Sequence, residues 1–392
     1  MDFLVLNSGS TSQKLALVEI ENEAESTLSG AIACRTLWVN GHSNLRSVEG
    51  RREAIEILLA EMERETGRDR RSVDAIGHRV VHGGSRFIEA TVIDRTVLSS
   101  LQELTELAPL HNSHCLEGIE YCLKSCAEQT QIAVFDTAFH RTISEKASVY
   151  ALPYRWYQNH GIRRFGFHGI NVEYCIERLS QFFSGSQKRP ARTVVCHLGG
   201  GCSVTAVLEG RSVDTTMGFT PLEGLVMTTR SGSVDPGILS YIAARENLSL
   251  DELEAVLNRD SGLKGISGLT GDMQELLTAR EAGIKRAELA FDIFVHSVTK
   301  HVAAMTASLN GLDALVFTGG IGESSSVVRQ SICQGLNFLG VEVDSERCAA
   351  VATLSRPDGL IAEGPVAVAV IKADEFAQIA SQCRTLLSGT TD

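Results

Sequence analysis

Two arginines occupy positions hostile to a charge. Arg79 interrupts the apolar run Ala75-Ile76-Gly77-His78-Arg79-Val80-Val81-His82, and Arg230 sits among small residues in Thr228-Thr229-Arg230-Ser231-Gly232. A guanidinium in such a setting is costly unless it meets an anion. Two of them aimed at one ligand would neutralise charge on a transferring phosphoryl group. In a strand Arg79 and Val81 face the same way, and a cation beside a small apolar surface suits a short-chain carboxylate. The competing reading for Arg79 is a pairing with a structural acid. A zinc site on His78 and His82 is disfavoured, because strand geometry separates them and no third ligand is near.

Other polar residues stand where a phosphate or a metal would need them. Asp136 ends the apolar run Ile132-Ala133-Val134-Phe135, a position from which carboxylates bind Mg²⁺ or orient a nucleophile; as plain structure it would cap a helix. His168, between Phe167 and Gly169, reads equally as a donor to a phosphoryl group or as a satisfied core histidine. Residues 4–18 and 194–207 share one pattern: a buried strand, a Gly/Ser-rich hairpin and a returning strand. Turns of small residues aim backbone N–H groups at one point, which suits an anion. Asn7, Ser10, Ser12 and Lys14 decorate the first copy, either as phosphate or metal-water ligands or as a polar turn with a solvated lysine. Two related copies suggest two domains closing on a phosphorylated ligand. The chain contains no GxxxxGK[ST] and no GxGxxG after a strand, so neither a P-loop nor a Rossmann site is supported.

The elements that must carry these residues alternate. Periodicity predicts helices over 53–65, 97–107, 116–126, 174–183 and 287–309, and another beginning after Ser249. The longest is expected to turn Leu289, Ile293, Val298, Val302 and Met305 to one side. Strands are predicted over 75–82, 132–135, 314–318 and 366–370, with a third glycine turn at residues 319–323 and a helix closing the chain. The Gly/Thr/Ser/Pro-rich stretch 214–237 is too long for a mere connection. This alternation argues for an α/β architecture. The 392 residues suffice for two domains. A net charge of −12 argues against nucleic acid as the main partner. No apolar run approaches the roughly 20 residues of a membrane helix, and the start lacks a secretory signal. The ten cysteines read as reduced thiols of a cytoplasmic protein.

The motifs Asn7-Ser8-Gly9-Ser10, residues 78–84, Leu107-Ala108-Pro109-Leu110-His111-Asn112, residues 135–140, Gly166-Phe167-His168-Gly169, residues 217–224 and residues 318–323 occur in order over almost the whole chain. Together they resemble the acetate kinase (acetokinase) family. The resemblance implies a duplicated actin-like ATPase (ribonuclease H-like) fold with the active site in a cleft between the domains. It implies an N-terminal domain of 1–138 plus helix 376–392, a C-terminal domain of 139–375 with the nucleotide site and the dimer interface, and a homodimer. The implied activity is reversible phosphorylation of acetate by ATP, giving acetyl phosphate and ADP, with Mg²⁺ or Mn²⁺ as cofactor and direct in-line transfer. By the same analogy Asp136, Arg79, Arg230 and His168 are catalytic, and His168 and Arg230 stabilise the transition state. Asn7 and Glu375 serve the metal. Arg79, Val81, Leu110, Phe167 and Pro221 hold the substrate. Ser12, Lys14, His197, Leu198, Gly199, Gly200, Gly201, Asp272, Met273, Gln274, Gly319, Gly320, Ile321 and Gly322 hold the nucleotide.

The chain departs from the family pattern at a few places. Gly200 stands where Asn is usual, Cys202 where Ser is usual, and Asp374 where Asn precedes the metal-positioning Glu. Gly271-Asp272-Met273-Gln274 replaces Asn-Asp-Phe-Arg and so removes a cation, and Ile170-Asn171 replaces the start of Thr-Ser-His. These changes bear on nucleotide affinity and turnover, and leave open a weakened nucleotide-binding paralogue. Propionate or another short acid is the alternative substrate; Val81 favours acetate, since a longer acid would call for a smaller residue there.

Overall fold

The computed structural model describes residues 1–8, 12–20, 32–40, 47–107, 109–183, 189–353 and 358–389. It divides into two compact units: Met1–Arg141 with Gly169–Tyr174 and Asp374–Asp392, and Thr142–His168 with Cys175–Ala373.

The first unit is built on six strands, β1 (Asp2–Ser8), β2 (Ser12–Ile20), β3 (Ile32–Asn40), β4 (Ala75–Val80), β5 (Thr91–Val92) and β6 (Thr130–Phe135), in the order β3-β2-β1-β4-β6-β5. The second holds β7 (Arg192–Leu198), β8 (Cys202–Leu208), β9 (Arg211–Thr215), β10 (Ala314–Thr318), β11 (Gly359–Glu363) and β12 (Ala367–Val370), ordered β11-β12-β10-β7-β8-β9. Each unit opens with an antiparallel meander, β1-β2-β3 or β7-β8-β9. Each then adds two strands parallel to the first of the meander, β4 and β6 or β10 and β12, and an antiparallel edge, β5 or β11. The duplication visible in two hairpins therefore extends to every strand.

Layering follows from side-chain alternation. On one face of the first sheet Phe3, Val5, Ala16 and Val18 pack with Ile379, Ala380 and Cys383 of the closing helix Glu375–Leu387. On the other, Leu4, Leu6, Leu15 and Leu17 pack with Ile55, Leu58, Leu59 and Met62 of helix Val48–Thr66. Strands covered on both faces read as unbroken apolar runs. Close approach of the closing helix needs Gly77: a Cβ there would lie 2.7 Å from Ile379 Cγ2 and 3.0 Å from Cys383 Sγ.

Several helical expectations are refined. The stretch 97–107 is helix Arg95–Glu103 followed by a 3₁₀ turn Leu104–Leu107, and the next helix begins at Pro109, where the fixed φ of proline suits a first turn. Helix Leu250–Arg259 starts at Ser249 with a full capping box to Glu252. The long helix Lys285–Leu309 buries Ala287, Ala290, Phe291, Phe294, Val298, Val302 and Met305. Leu289 is instead 52 % exposed and Ile293 only half-buried. Leu289 lies nine residues before Val298, half a revolution away at about 100° per residue. Residues 319–323 form no hairpin; Gly319, at φ 80°, leads directly into the short helix Gly319–Ser324. Among the described residues no helix is long and apolar enough to cross a membrane.

Candidate functional site

In the first unit, the C-terminal ends of three parallel strands collect charge. Register places Leu6 beside His78 and Val80 beside Phe135, so Asn7, Arg79 and Asp136 emerge at the same edge, as ligand-binding residues of parallel sheets do. Arg79 forks onto Asp136, with Nη2 2.5 Å from Oδ2 and Nε 3.2 Å from Oδ1. Its Nη1 lies 3.4 Å from Asn7 Oδ1, and its Nε 3.4 Å from Glu375 Oε2. The pairing with an acid and the site reading are thus the same arrangement, because the acids are themselves site candidates. Burial pushes the Asp136 carboxyl above the usual range and Glu375 adds to this, while Arg79 pulls the other way. Burial likewise pushes the Lys14 ammonium down, against the pull of Glu375. Gly169 N–H fixes the Asp136 backbone by donating to its carbonyl at 2.9 Å. Asp374 caps the closing helix by accepting from Ala377 N–H at 3.1 Å, the task an Asn at this place would also perform.

Two carboxylates and an amide oxygen form a hard-oxygen set, the chemistry that suits Mg²⁺ held by few protein ligands. Among the described residues no group of three His, Cys, Asp or Glu side chains could hold a metal alone. His78 is committed elsewhere: it is buried, its Nε2 lies 2.7 Å from Gln131 Oε1, and burial pushes its pKa down to about 4. Val81 is half-buried. Ser10 and the side chains of Ser12 and Leu110 lie outside the described residues.

In the second unit the corresponding edge holds His197, the hairpin Gly199-Gly200-Gly201 and the glycine-led helix Gly319–Ser324. The His168 and His197 rings stack at 4.0 Å between centroids, and His168 Nδ1 lies 3.0 Å from Ser203 Oγ. Gly201 leaves a cradle: the point its Cβ would occupy is 3.2 Å from His168 Nε2 and 3.3 Å from Arg230 Nη1. Arg230 donates to the Pro221 carbonyl at 3.2 Å, and among the described residues no carboxylate pairs with it. Burial lowers its pKa, the sign of a cation without a counter-charge. Leu198 and Phe167 are buried, as is Pro221.

The hairpin is tied by backbone and thiol. Gly199 N–H donates to Gly201 O at 3.0 Å, Cys202 Sγ to Gly199 O at 3.4 Å, and Thr228 Oγ1 to Gly200 O at 3.0 Å. A Cβ on Gly200 would meet nothing within 4 Å. Of the adenosine candidates, Asp272 caps helix Met273–Glu281 through the N–H groups of Gln274 and Glu275. Met273 and Ile321 are buried, Gly319 and Gly322 are buried, and Gln274 and Gly320 are exposed.

Three supporting residues carry no signal in single-sequence pattern. Glu323 Oε1 accepts from Gly319 N–H and Ala373 N–H, both at 2.9 Å. Arg329, fully buried, donates to the carbonyls of Gly322 and Glu323 at 2.7 and 2.8 Å. Arg164 donates to the carbonyls of Thr215, Thr216 and Met217 at 3.0 Å each and to Glu223 at 2.8 Å, shaping the loop that carries Pro221. Charged residues inside otherwise structural segments are the only hint; the partners of Arg164 and the Ala373 partner of Glu323 lie 50 or more residues away.

A twice-repeated six-stranded α/β unit with glycine hairpins is the architecture of actin-like ATPase phosphotransferases. The model of the acetokinase family matches residues 2–381, and the chain belongs to that family, whose members transfer phosphate to a carboxylate. The acetate kinase of Nostoc punctiforme is 42 % identical over 421 residues, covering 99 % of this chain and 100 % of that protein. That of Halothermothrix orenii is 43 % identical, covering 88 % and 90 %. Among solved structures, Porphyromonas gingivalis acetate kinase superposes with a TM-score of 0.85 at 32 % identity, covering 98 % and 99 % of the two chains. A propionate kinase from Francisella tularensis gives 0.83 at 36 % identity, covering 97 % and 98 %.

Proposed function

We propose that this chain is an acetate kinase that works by direct in-line transfer, with Arg79, Asp136 and Glu375 of the first unit and Arg230 and His168 of the second as its catalytic groups. The observation that carries the reading is Arg230, a half-buried cation beside the Gly201 cradle with no carboxylate partner among the described residues; it supports an anion as the missing partner. A carboxylate oxygen of acetate attacks the γ-phosphorus of ATP, the bond from that phosphorus to the β–γ bridging oxygen breaks, and ADP leaves with the electron pair. Acetate is already anionic at neutral pH, so no general base is needed and catalysis rests on alignment and charge stabilisation. Glu375 and Asn7 would hold Mg²⁺, with Asp136 beside it; the ion would neutralise phosphate charge. Arg79 orients the carboxylate, Arg230 and His168 offer N–H groups to the phosphoryl oxygens, and the glycine hairpins offer backbone N–H groups to the nucleotide phosphates.

By the family resemblance Val81, Leu110, Phe167 and Pro221 are assigned to the acetate methyl. Propionate is the second reading, favoured by the likeness to the Francisella tularensis enzyme; one methylene is worth about 1–3 kcal/mol in such pockets. An acyl-hydroxamate assay with acetate and propionate, repeated with Mg²⁺ and Mn²⁺, tests both. Arg79→Ala and Arg230→Ala should each lower kcat by at least about a hundredfold, by the scale of lost oxyanion-type donors. Unchanged kcat in either refutes its role, and a higher kcat/KM for propionate reverses the substrate assignment.

The active form is read as a homodimer. Helix Pro236–Glu246 buries no residue, and Ile238, Tyr241, Leu250 and Val256 are 54 %, 62 %, 82 % and 40 % exposed, an apolar surface of the kind that marks an interface. Sedimentation of the wild type against Ile238→Asp tests this; a monomeric wild type refutes it. Ten thiols, nine buried and none in a disulfide, suit a cytoplasmic setting.

A further inference from the structure

We propose that Ser203 is a positioning residue for His168: its hydroxyl donates to Nδ1 and so keeps a proton on Nε2, the nitrogen beside the Gly201 cradle. The inference rests on the reading of His168 as a donor to the phosphoryl group. Ser203 is fully buried, and its Oγ lies 3.0 Å from His168 Nδ1. On β8 it stands opposite His197 in register, and His197 is the residue whose ring stacks on His168 at 4.0 Å. Adjacent strands thus hold one imidazole through a hydrogen bond and a stacking contact. The backbone adds a third constraint. His168 has φ 61°, a left-handed conformation that a non-glycine residue keeps where its surroundings impose it.

The chemistry follows from the ring's inventory. A neutral imidazole has one donor and one acceptor nitrogen. With the proton on Nδ1, Nε2 would turn a lone pair toward a site where Arg230 Nη1 also points, and the lone pair would repel the anion that Arg230 attracts. Accepting from Ser203 at Nδ1 leaves N–H at Nε2. The protonated ring also offers N–H there, but charging both stacked histidines is disfavoured by like-charge repulsion. Of the two neutral tautomers, the one protonated at Nε2 is the form in which Ser203 donates to Nδ1.

The test uses the full chain labelled with ¹⁵N-histidine, whose long-range nitrogen–proton correlations distinguish the two tautomers. The His168 ring of the wild type is expected as the Nε2–H form at pH 8. Ser203→Ala is expected to give a mixture of tautomers and to lower kcat about tenfold, with KM for acetate and ATP little changed. In a His168→Ala background, Ser203→Ala should cost nothing further, because the residue acts through the ring. The proposal is overturned if the tautomer is unchanged in Ser203→Ala, or if the loss in kcat is equal in both backgrounds. A His168→Ala protein with normal kcat would instead remove the donor role of His168, while the spectra would still decide whether Ser203 holds the ring.

Discussion

His78 makes the first unit sensitive to acid in a way that can be isolated. Its ring is buried on β4, with Nε2 2.7 Å from Gln131 Oε1. Gln131 is held by its own bonds to the Cys126 and Gln129 carbonyls, at 3.1 Å each, so its oxygen accepts and the histidine carries a proton on Nε2. Burial lowers the pKa from 6.5 to about 4. A histidine whose folded pKa is depressed contributes stability that is present above the unfolded pKa and lost as pH falls toward the folded one. Integrated from pH 8 to pH 5, that loss is about 2 kcal/mol, with 1.36 kcal/mol per pKa unit. Asp136 works in the opposite direction over part of the window: its raised pKa makes its ionisation cost stability as pH rises. A single curve would mix the two. The measurement is therefore urea unfolding of wild type and His78→Leu at pH 8 and pH 5. Leucine leaves the Gln131 oxygen unpaired at both values, a constant cost that cancels in the comparison. The wild type should lose about 2 kcal/mol more than the variant between the two pH values. Equal losses would show that His78 does not titrate as its burial dictates.

Gly77→Ala should destabilise the first unit by about 1–3 kcal/mol, read as a lower urea midpoint, because its Cβ must displace Ile379 and Cys383; an unchanged midpoint would mean the closing helix adjusts freely. Gly201→Ala puts a methyl at 3.2 Å from His168 Nε2 and 3.3 Å from Arg230 Nη1. Its kcat should fall at least about tenfold with the urea midpoint retained, since small misplacements of aligned groups are costly; normal turnover would place the chemistry away from that cradle. Gly200→Asn meets open space at a φ that is not left-handed. Its stability should hold or rise by about 0.4–1 kcal/mol, and KM for ATP should fall if an amide there serves the phosphates; calorimetry of nucleotide binding checks the second part.

The two hairpins were legible because strand, small turn and strand are local, and local patterns survive in sequence. The central strands β1, β4, β6, β7, β10 and β12 were legible too, as apolar runs covered on both faces. The edge strands β3, β5, β9 and β11 were not singled out: β5, β9 and β11 are short, and β3, nine largely apolar residues, was passed over although its composition suits a strand. Leu289 misled because apolar residues at near-helical spacing need not all lie on the buried arc. Residues 319–323 read as a turn because glycines suggest one, whereas the helix there is tied by Glu323 at its own end and by Arg329 from outside the motif. Arg79, Asp136, His168 and Arg230 stood out as polar groups in apolar or small-residue settings. Ser203 and Arg164 did not, because their importance lies in partners far away in sequence.

The closing helix carries a consequence for how the chain is made. Residues 1–141 leave the ribosome first, yet one face of their sheet is covered by Ile379, Ala380 and Cys383. The second unit, whose last residue is Ala373, has all its parts before that cover is translated. Biosynthesis therefore inverts the usual vectorial order in which N-terminal domains mature first. The face of the first sheet that carries Phe3, Val5 and Val18 lacks this cover until residues 375–387 have been translated. A stop codon just before Glu375 would consequently injure the opposite end of the polypeptide from the one it shortens.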